Sequence, residues 1–356
     1  MTIDLSGGIH PAREQVLAER PSDPEVHDSV SFWVFDDRGE IALPRVGIEA
    51  VGANWAEHGV QANVTFADGT VYRLRTDAPA LSPVGPEGRP TVLGAGPLSF
   101  RCVQPFATWQ MRFDGEMVAT STARLATGDI EGPAAHVQFE VDATMAVPPW
   151  AQGALTRTAE KVMADAVEGD LMGGARYEQL FRARGAVTVD GQRREFTGSG
   201  LRIRRLGVRR LGAFWGHAWQ TAVFPSGRAF GYIAYPPRED GAPTFNEGFV
   251  FDGEGTLVPA TVARAPWLTE IAPSGQDVSL TLQTERGPVE IEAETVMSTF
   301  DVHHKDSTFS IKALHAEHAD FPALQQAVVR YTWDGEVAYG MIERSNPVGK
   351  IRFAAT

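Results

Sequence analysis

Val30-Ser31-Phe32-Trp33-Val34-Phe35 runs into Asp37-Arg38-Gly39 and re-emerges as Ile41-Ala42-Leu43. A short run rich in β-branched and aromatic residues, broken by an Asp/Gly turn and followed by a second apolar run, reads as strand, turn, strand. The same punctuation recurs at Asp68-Gly69, Asp114-Gly115, Asp190-Gly191, Asp252-Gly253 and Asp334-Gly335. Most of these are flanked by alternating apolar and aromatic residues, as in Val337-Ala338-Tyr339-Gly340-Met341-Ile342. Asp-Gly between alternating runs is a strong hairpin signal, because both turn residues must accept positive φ. The rhythm predicts an all-β, mainly antiparallel protein.

Helical signals are sparse. Residues 11–19 predict one short helix. Residues 149–167 predict the longest, with Ala154, Leu155, Ala159, Val162, Met163 and Ala166 at helical spacing before Gly169. Residues 321–328 predict a further turn or two. A chain of 356 residues exceeds what one core usually supports, so two domains are expected. Placing the boundary at the long helix gives an N-terminal β domain over 1–148, a helical linker over 149–174 and a C-terminal β domain over 175–356. The halves echo each other weakly, as in Phe66-Ala67-Asp68-Gly69 and Phe251-Asp252-Gly253, which suggests duplication of one β unit or the chance likeness of hairpins.

The formal charge of −13 opposes binding to nucleic acid or anionic lipid, both of which need a basic face. With one cysteine, Cys102, neither an intramolecular disulfide nor a multi-thiolate metal site can form. Cys102 sits in an alternating strand pattern and reads as a packed thiol. Residues 1–9 lack a signal-peptide pattern and no run is long enough to span a membrane, so the cytoplasm is the expected compartment. No glycine-rich dinucleotide loop, P-loop or nucleophile elbow occurs. His303-His304 and His315-x-x-His318 are dense in histidine, but a third ligand at a known spacing is missing, so no metal is expected.

The candidate chemistry starts at Phe214-Trp215-Gly216-His217-Ala218-Trp219-Gln220-Thr221. On a strand, Trp215, His217, Trp219 and Thr221 share one face. An imidazole in an apolar wall stays neutral and can exchange a proton; it is equally compatible with a hydrogen-bonded core histidine. In Ala175-Arg176-Tyr177-Glu178-Gln179-Leu180, Glu178 points opposite to Tyr177 and Gln179. A buried Glu178 would have a raised pKa suited to a general acid, and a solvent-facing one would not. Asp301 and His303 share a face, suiting acid–base work or a plain ion pair. Tyr339, Met341 and Glu343 also share one, with Glu343 free to pair with an arginine. Arg202, Arg204, Arg205, Arg209 and Arg210 form an arginine run that suits an anion site, but so many like charges are expected to be a solvated loop or strand edge pairing with acidic neighbours.

Taken in order, Asp28–Asp36, Leu98-Ser99-Phe100 through Trp109-Gln110-Met111-Arg112-Phe113-Asp114-Gly115, Arg176-Tyr177-Glu178-Gln179, Gly198–Gly231 and Gly340-Met341-Ile342-Glu343 resemble the two-domain lipocalin-like superfamily of carotenoid 1,2-hydratases, AttH-type proteins and fungal Diels–Alderases. The resemblance implies two successive β-barrel-like domains, a ligand cavity and cofactor-free chemistry on terpenoid- or polyene-like substrates. Members often carry Arg-Asp-His-x-Trp-Gly where this chain has Arg202-Ile203-Arg204-Arg205-Leu206-Gly207. The chemistry is therefore expected at other residues, such as His217 and Trp219, or that site is inactive.

The resulting expectation is a cofactor-independent hydratase or dehydratase on an apolar alkene or alcohol. Its catalytic candidates are His217, Glu178 and Asp301. Its substrate-binding candidates are Tyr177, Trp215, Trp219, Trp109, Tyr235, His303, Tyr339 and Glu343. An isomerase or cyclase, and a non-catalytic terpenoid carrier, are the alternatives. No cofactor, nucleic acid or stable membrane insertion is expected, and homodimerisation stays open.

Overall fold

The computed structural model describes residues 3–164, 175–209, 215–302 and 323–353. The first set of strands comprises β1 (Val26–Asp36), β2 (Ile41–Val51), β3 (Asn54–Phe66), β4 (Thr70–Pro79), β5 (Val92–Ala95), β6 (Leu98–Gln104), β7 (Thr108–Ser121), β8 (Ala134–Met145), β9 (Trp150–Ala151), β10 (Ala175–Val189) and β11 (Gln192–Val208). They form one antiparallel sheet ordered β4-β3-β2-β1-β11-β10-β8-β7-β6-β5, with β9 added on β10. Pairing of Thr70–Arg73 with Val118–Ser121 joins β4 to β7, so the sheet closes on itself.

The second set comprises β12 (His217–Val223), β13 (Ala229–Ala234), β14 (Asn246–Phe251), β15 (Val258–Arg264), β16 (Glu270–Ile271), β17 (Leu280–Thr284), β18 (Gly287–Asp301), β19 (Ala323–Trp333), β20 (Glu336–Asn346) and β21 (Arg352–Phe353). β12-β13-β14-β15-β17-β18-β19-β20 form a closed barrel, while β16 and β21 pair separately. The described helices are short: α1 (Thr122–Ala126) and α2 (Arg157–Met163). Among the described residues, no helix is long and apolar enough to cross a membrane.

The β class follows from the turns. Asp190 and Gly191 have φ of 48° and 81°, and Asp334 and Gly335 have 49° and 82°, the double-positive geometry of a two-residue hairpin turn. Asp114-Gly115 differs: it lies inside β7 and does not turn. The predicted helices differ too. Residues 11–19 yield only a 3-10 turn at Pro11–Glu14; within 149–164 a strand pair precedes the brief α2; residues 323–328 begin β19. At 150–151 and 323–328 local helical spacing yields to sheet pairing.

The change of sheet falls between residues 208 and 217, not at the expected linker 149–174, because β10 and β11 pair with β8 and β1 of the first sheet. Among the described residues, alternation then sorts the three largest of four cores. On β1, Val30, Phe32 and Val34 enter the first barrel's interior, while Trp33 and Phe35 face outward. The second barrel fills itself with residues such as Ala218, Phe230, Tyr232, Leu282 and Tyr331. A third core lies between the barrels and draws Trp33, Leu180, Leu201 and Ile203 from one, Trp219, Ile233, Phe249 and Met341 from the other.

Candidate active site between the two barrels

The outer faces of the two barrels meet around Trp219. Its indole Nε1 donates to Glu178 Oε2 at 3.0 Å, joining β12 to β10. Gln152 Nε2 donates to Glu178 Oε1 at 2.6 Å, and Arg176 at 2.5 Å. The Arg176 guanidinium lies 5.0 Å from the Trp219 ring centre. Trp33 packs edge-on against Trp219 at 5.0 Å, and Arg45 sits 5.7 Å from the Trp33 centre. Glu178 is buried, and that burial pushes its carboxyl above the usual range against Arg176 and the other donors. A raised, buried carboxyl beside an indole has the character of a proton donor.

Two residues along the same face of β12 stands His217. Its Nδ1 is 2.7 Å from Ser345 Oγ and its Nε2 is 3.3 Å from Glu343 Oε1. The register explains this, since His217 lies opposite Ser345 and Trp219 opposite Glu343 on β20. The wall around His217 is therefore not purely apolar, as expected from its two flanking tryptophans; a carboxylate faces it. Gln326 donates to Glu343 Oε2 at 2.7 Å and Arg45 reaches it at 3.2 Å. Burial opposes ionisation of Glu343, yet Arg45, His217 and Gln326 hold its pKa down at about 2, against an ordinary 4.5. A depressed folded-state pKa contributes stability that is complete above pH 4.5 and lost as the pH falls toward 2. Urea unfolding of Glu343→Gln is expected to show a shallower loss of stability than wild type across that window.

Trp215 precedes β12. It packs edge-on against Tyr235 at 5.2 Å and donates to the Pro236 carbonyl at 3.1 Å, extending the aromatic wall. His217, Glu178, Trp219, Trp215, Tyr235 and Glu343 thus belong to the interface between the barrels. The remaining candidates lie elsewhere. Tyr177 and Trp109 face the first barrel's interior, where both bind Glu14. Strand parity sends Tyr177 away from Glu178. Asp301 is clamped by Arg73, at 2.5 Å, and by Arg75 across the barrel junction, which suits a fixed anion better than a proton donor. Tyr339 packs on Gly39 at the far end of the interface; a Cβ there would come within 2.4 Å of its ring. It lines a groove of about 700 Å³ with Asp37, Arg182 and Val223. His303, and the other histidines at 304, 315 and 318, lie outside the described residues. Among the described residues no cluster of three or more His, Cys, Asp or Glu side chains is placed to hold a metal.

The arginine run corrects its expectation. Arg202, Arg204 and Arg205 are buried, because β11 is an inner strand of the closed first sheet. Arg202 pairs with Glu14 at 2.8 Å and Arg204 with Asp28 on one face, while Arg205 takes the opposite face toward the interface. Arg210 lies outside the described residues. Ile203, which occupies the place of the resembling family's Asp, stands directly opposite Glu178. Trp33, Arg45, Arg176, Gln152 and Gln326 are site residues that the sequence reading did not single out. The signal available for Trp33 was its parity with Ser29 and Ser31 on an otherwise apolar strand. Cys102 is buried and its thiol is pushed up to about 12, first by burial and then by Glu14, in keeping with a packed thiol.

This architecture is a two-domain lipocalin-like β fold. It is similar to an AttH-like protein from Nitrosomonas europaea, with 14% identity, a TM-score of 0.57, and coverage of 94% of this chain and 99% of that one. It is also similar to CghA, solved with Sch210972, with 13% identity, a TM-score of 0.54 and 97% coverage of both chains. No curated protein matches the chain. The family model described as a domain of unknown function, DUF7064, matches residues 12–348, and the chain belongs to that family.

Proposed function

We propose that the chain is a cofactor-independent hydro-lyase acting on an apolar, terpenoid-like alkene or alcohol between its barrels. The observation that carries this reading is the buried Glu178 carboxyl held against Trp219, with the His217–Glu343 pair beside it on the same strand face. In hydration, Glu178 protonates the alkene carbon, a carbocation forms, and water adds to it. The oxonium proton passes through His217 and returns to Glu178, so one alkene and one water give one alcohol. In dehydration, the same acid protonates the leaving hydroxyl. The indole faces of Trp219 and Trp33 stabilise the cation, by roughly 0.5–2 kcal/mol each. Both nitrogens of His217 are engaged, so Ser345 and Glu343 orient the ring that passes the proton on. That the structurally similar CghA was solved holding a small molecule supports a ligand site in such a fold.

Terpenoid alcohols supplied to the purified chain and followed by gas chromatography are expected to lose water. Glu178→Gln is expected to cut turnover about 10²–10⁴-fold, the range of a general acid's contribution. Undiminished turnover in both Glu178→Gln and His217→Ala removes this assignment. A product of unchanged mass points to an isomerase or cyclase instead.

A further inference from the structure

Arg205 is out of place among the charges of the interface. In the first sheet, Arg176, Arg205, Ser29 and Glu49 stand directly opposite one another on β10, β11, β1 and β2. Cross-strand partners project from the same face with Cβ atoms about 4.5–5.5 Å apart, and like charges so placed repel. The Arg176–Arg205 pair is therefore a cost that the fold carries.

The neighbouring arginines each have a carboxylate. Arg176 has Glu178 at 2.5 Å, Arg45 has Glu343 at 3.2 Å, and Arg209 has Glu49 at 3.7 Å. Glu49 is also shared with His27 at 2.8 Å. Arg205 has none. It is only 5% exposed, its Nε lacks an acceptor, and its side chain donates no hydrogen bond to any described residue. Burial and repulsion from Arg209, Arg176 and Arg45 act against its charge, and Glu49 offsets only part of this. Among the described residues, Arg205 is the one of these four guanidinium groups without a carboxylate partner of its own. A buried, uncompensated cation is strongly unfavourable unless an anion completes it.

We propose that the ligand of this site carries one carboxylate on an apolar body, and that Arg205 binds the carboxylate with Arg176 beside it. One buried guanidinium without a carboxylate is completed by a single anionic group. The planar fork of Arg205 fits a carboxylate through two parallel hydrogen bonds. The apolar body meets the wall that begins at the same place: Arg176 lies over Trp219 and Arg45 over Trp33. Tyr235, which feels the charge of Arg209, continues that wall with Trp215. The inference rests on the apolar-substrate reading above and narrows it to apolar carboxylic acids.

The test compares farnesoic acid with farnesol, and dodecanoate with dodecanol, by isothermal titration calorimetry on the full chain at pH 7.5. The acid of at least one pair is expected to bind tenfold or more tightly than its alcohol, and raised salt is expected to narrow the gap. Arg205→Leu is expected to bring the acid's affinity down to that of the alcohol. Because it removes an uncompensated buried charge, this variant is also expected to melt no lower than wild type without ligand. Arg205→Lys, which keeps charge but loses the fork, is expected to fall between, and it serves if the leucine variant does not fold. Equal binding of acid and alcohol by wild type overturns the carboxylate assignment while leaving the apolar site standing. So does an acid preference that survives in Arg205→Leu. Tighter binding of farnesyl phosphate than of farnesoic acid overturns it in favour of a dianion. If acids, alcohols and phosphate all fail to bind, the apolar-substrate reading fails and this one with it.

Discussion

Glu247→Ala is expected to lower the unfolding free energy by about 3–5 kcal/mol, measured by urea denaturation, because it strands a set of buried donors. Glu247 lies on β14 of the second barrel and is fully buried. Its Oε2 accepts from Trp150 Nε1 at 2.8 Å and from the Gly153 amide at 2.6 Å. Its Oε1 accepts from the amides of Leu155 at 2.9 Å and Thr156 at 2.8 Å. These donors all lie in the stretch from β9 to the start of α2, which is attached to the first sheet through β10. One carboxylate thus binds a stretch of the first unit to the second and holds Gln152, a donor to Glu178, within that stretch. Glu247→Gln is expected to lose most of the same stability, since its amide nitrogen would face a backbone donor. A variant within 1 kcal/mol of wild type, the scale of an ordinary surface change, would show that the anchor is redundant.

Glu14→Ala is the second large effect, again about 3–5 kcal/mol, for a different reason. Glu14 and Arg202 are both fully buried in the first barrel and pair at 2.8 Å. Tyr177 OH, Trp109 Nε1 and the Phe106 amide also donate to the carboxylate. Burial opposes its charge, but Arg202 and these hydrogen bonds keep the carboxyl below the usual range. Removing Glu14 leaves Arg202 as a buried cation with Gln179 as its remaining hydrogen-bond partner. The double variant Glu14→Ala/Arg202→Met is expected to recover much of the loss, and a double-mutant cycle measures the coupling. If the losses simply add, the pair is not coupled in the way its geometry requires.

The hairpins were legible because turn chemistry is local. Asp190-Gly191 and Asp334-Gly335 demand positive φ wherever they occur, and the alternating runs beside them can only pleat. The sharing of one face by His217 and Trp219, and the opposition of Glu178 to Tyr177, were legible for the same reason: strand parity depends only on counting by two. Half of the candidate site followed from that parity alone.

Counting by two says which residues share a face, never what that face meets. Arg202, Arg204 and Arg205 read as a solvated edge, yet they are buried because β1 and β10 arrive on either side of β11 from far along the chain. Asp301 read as suited to acid–base work or to a plain ion pair, and only the fold brings Arg73 and Arg75, on β4, onto it across the barrel junction. The joining of residues 175–208 to the first sheet could not be read locally either, since a strand carries no label for its sheet. Backbone sterics over a few residues set the β class, the turns and the facing of each strand, so these can be read along the chain alone. Only the tertiary structure decided which faces are dry and which charges are paired, because burial and ion pairing depend on partners such as Glu14 and Arg202, 188 residues apart.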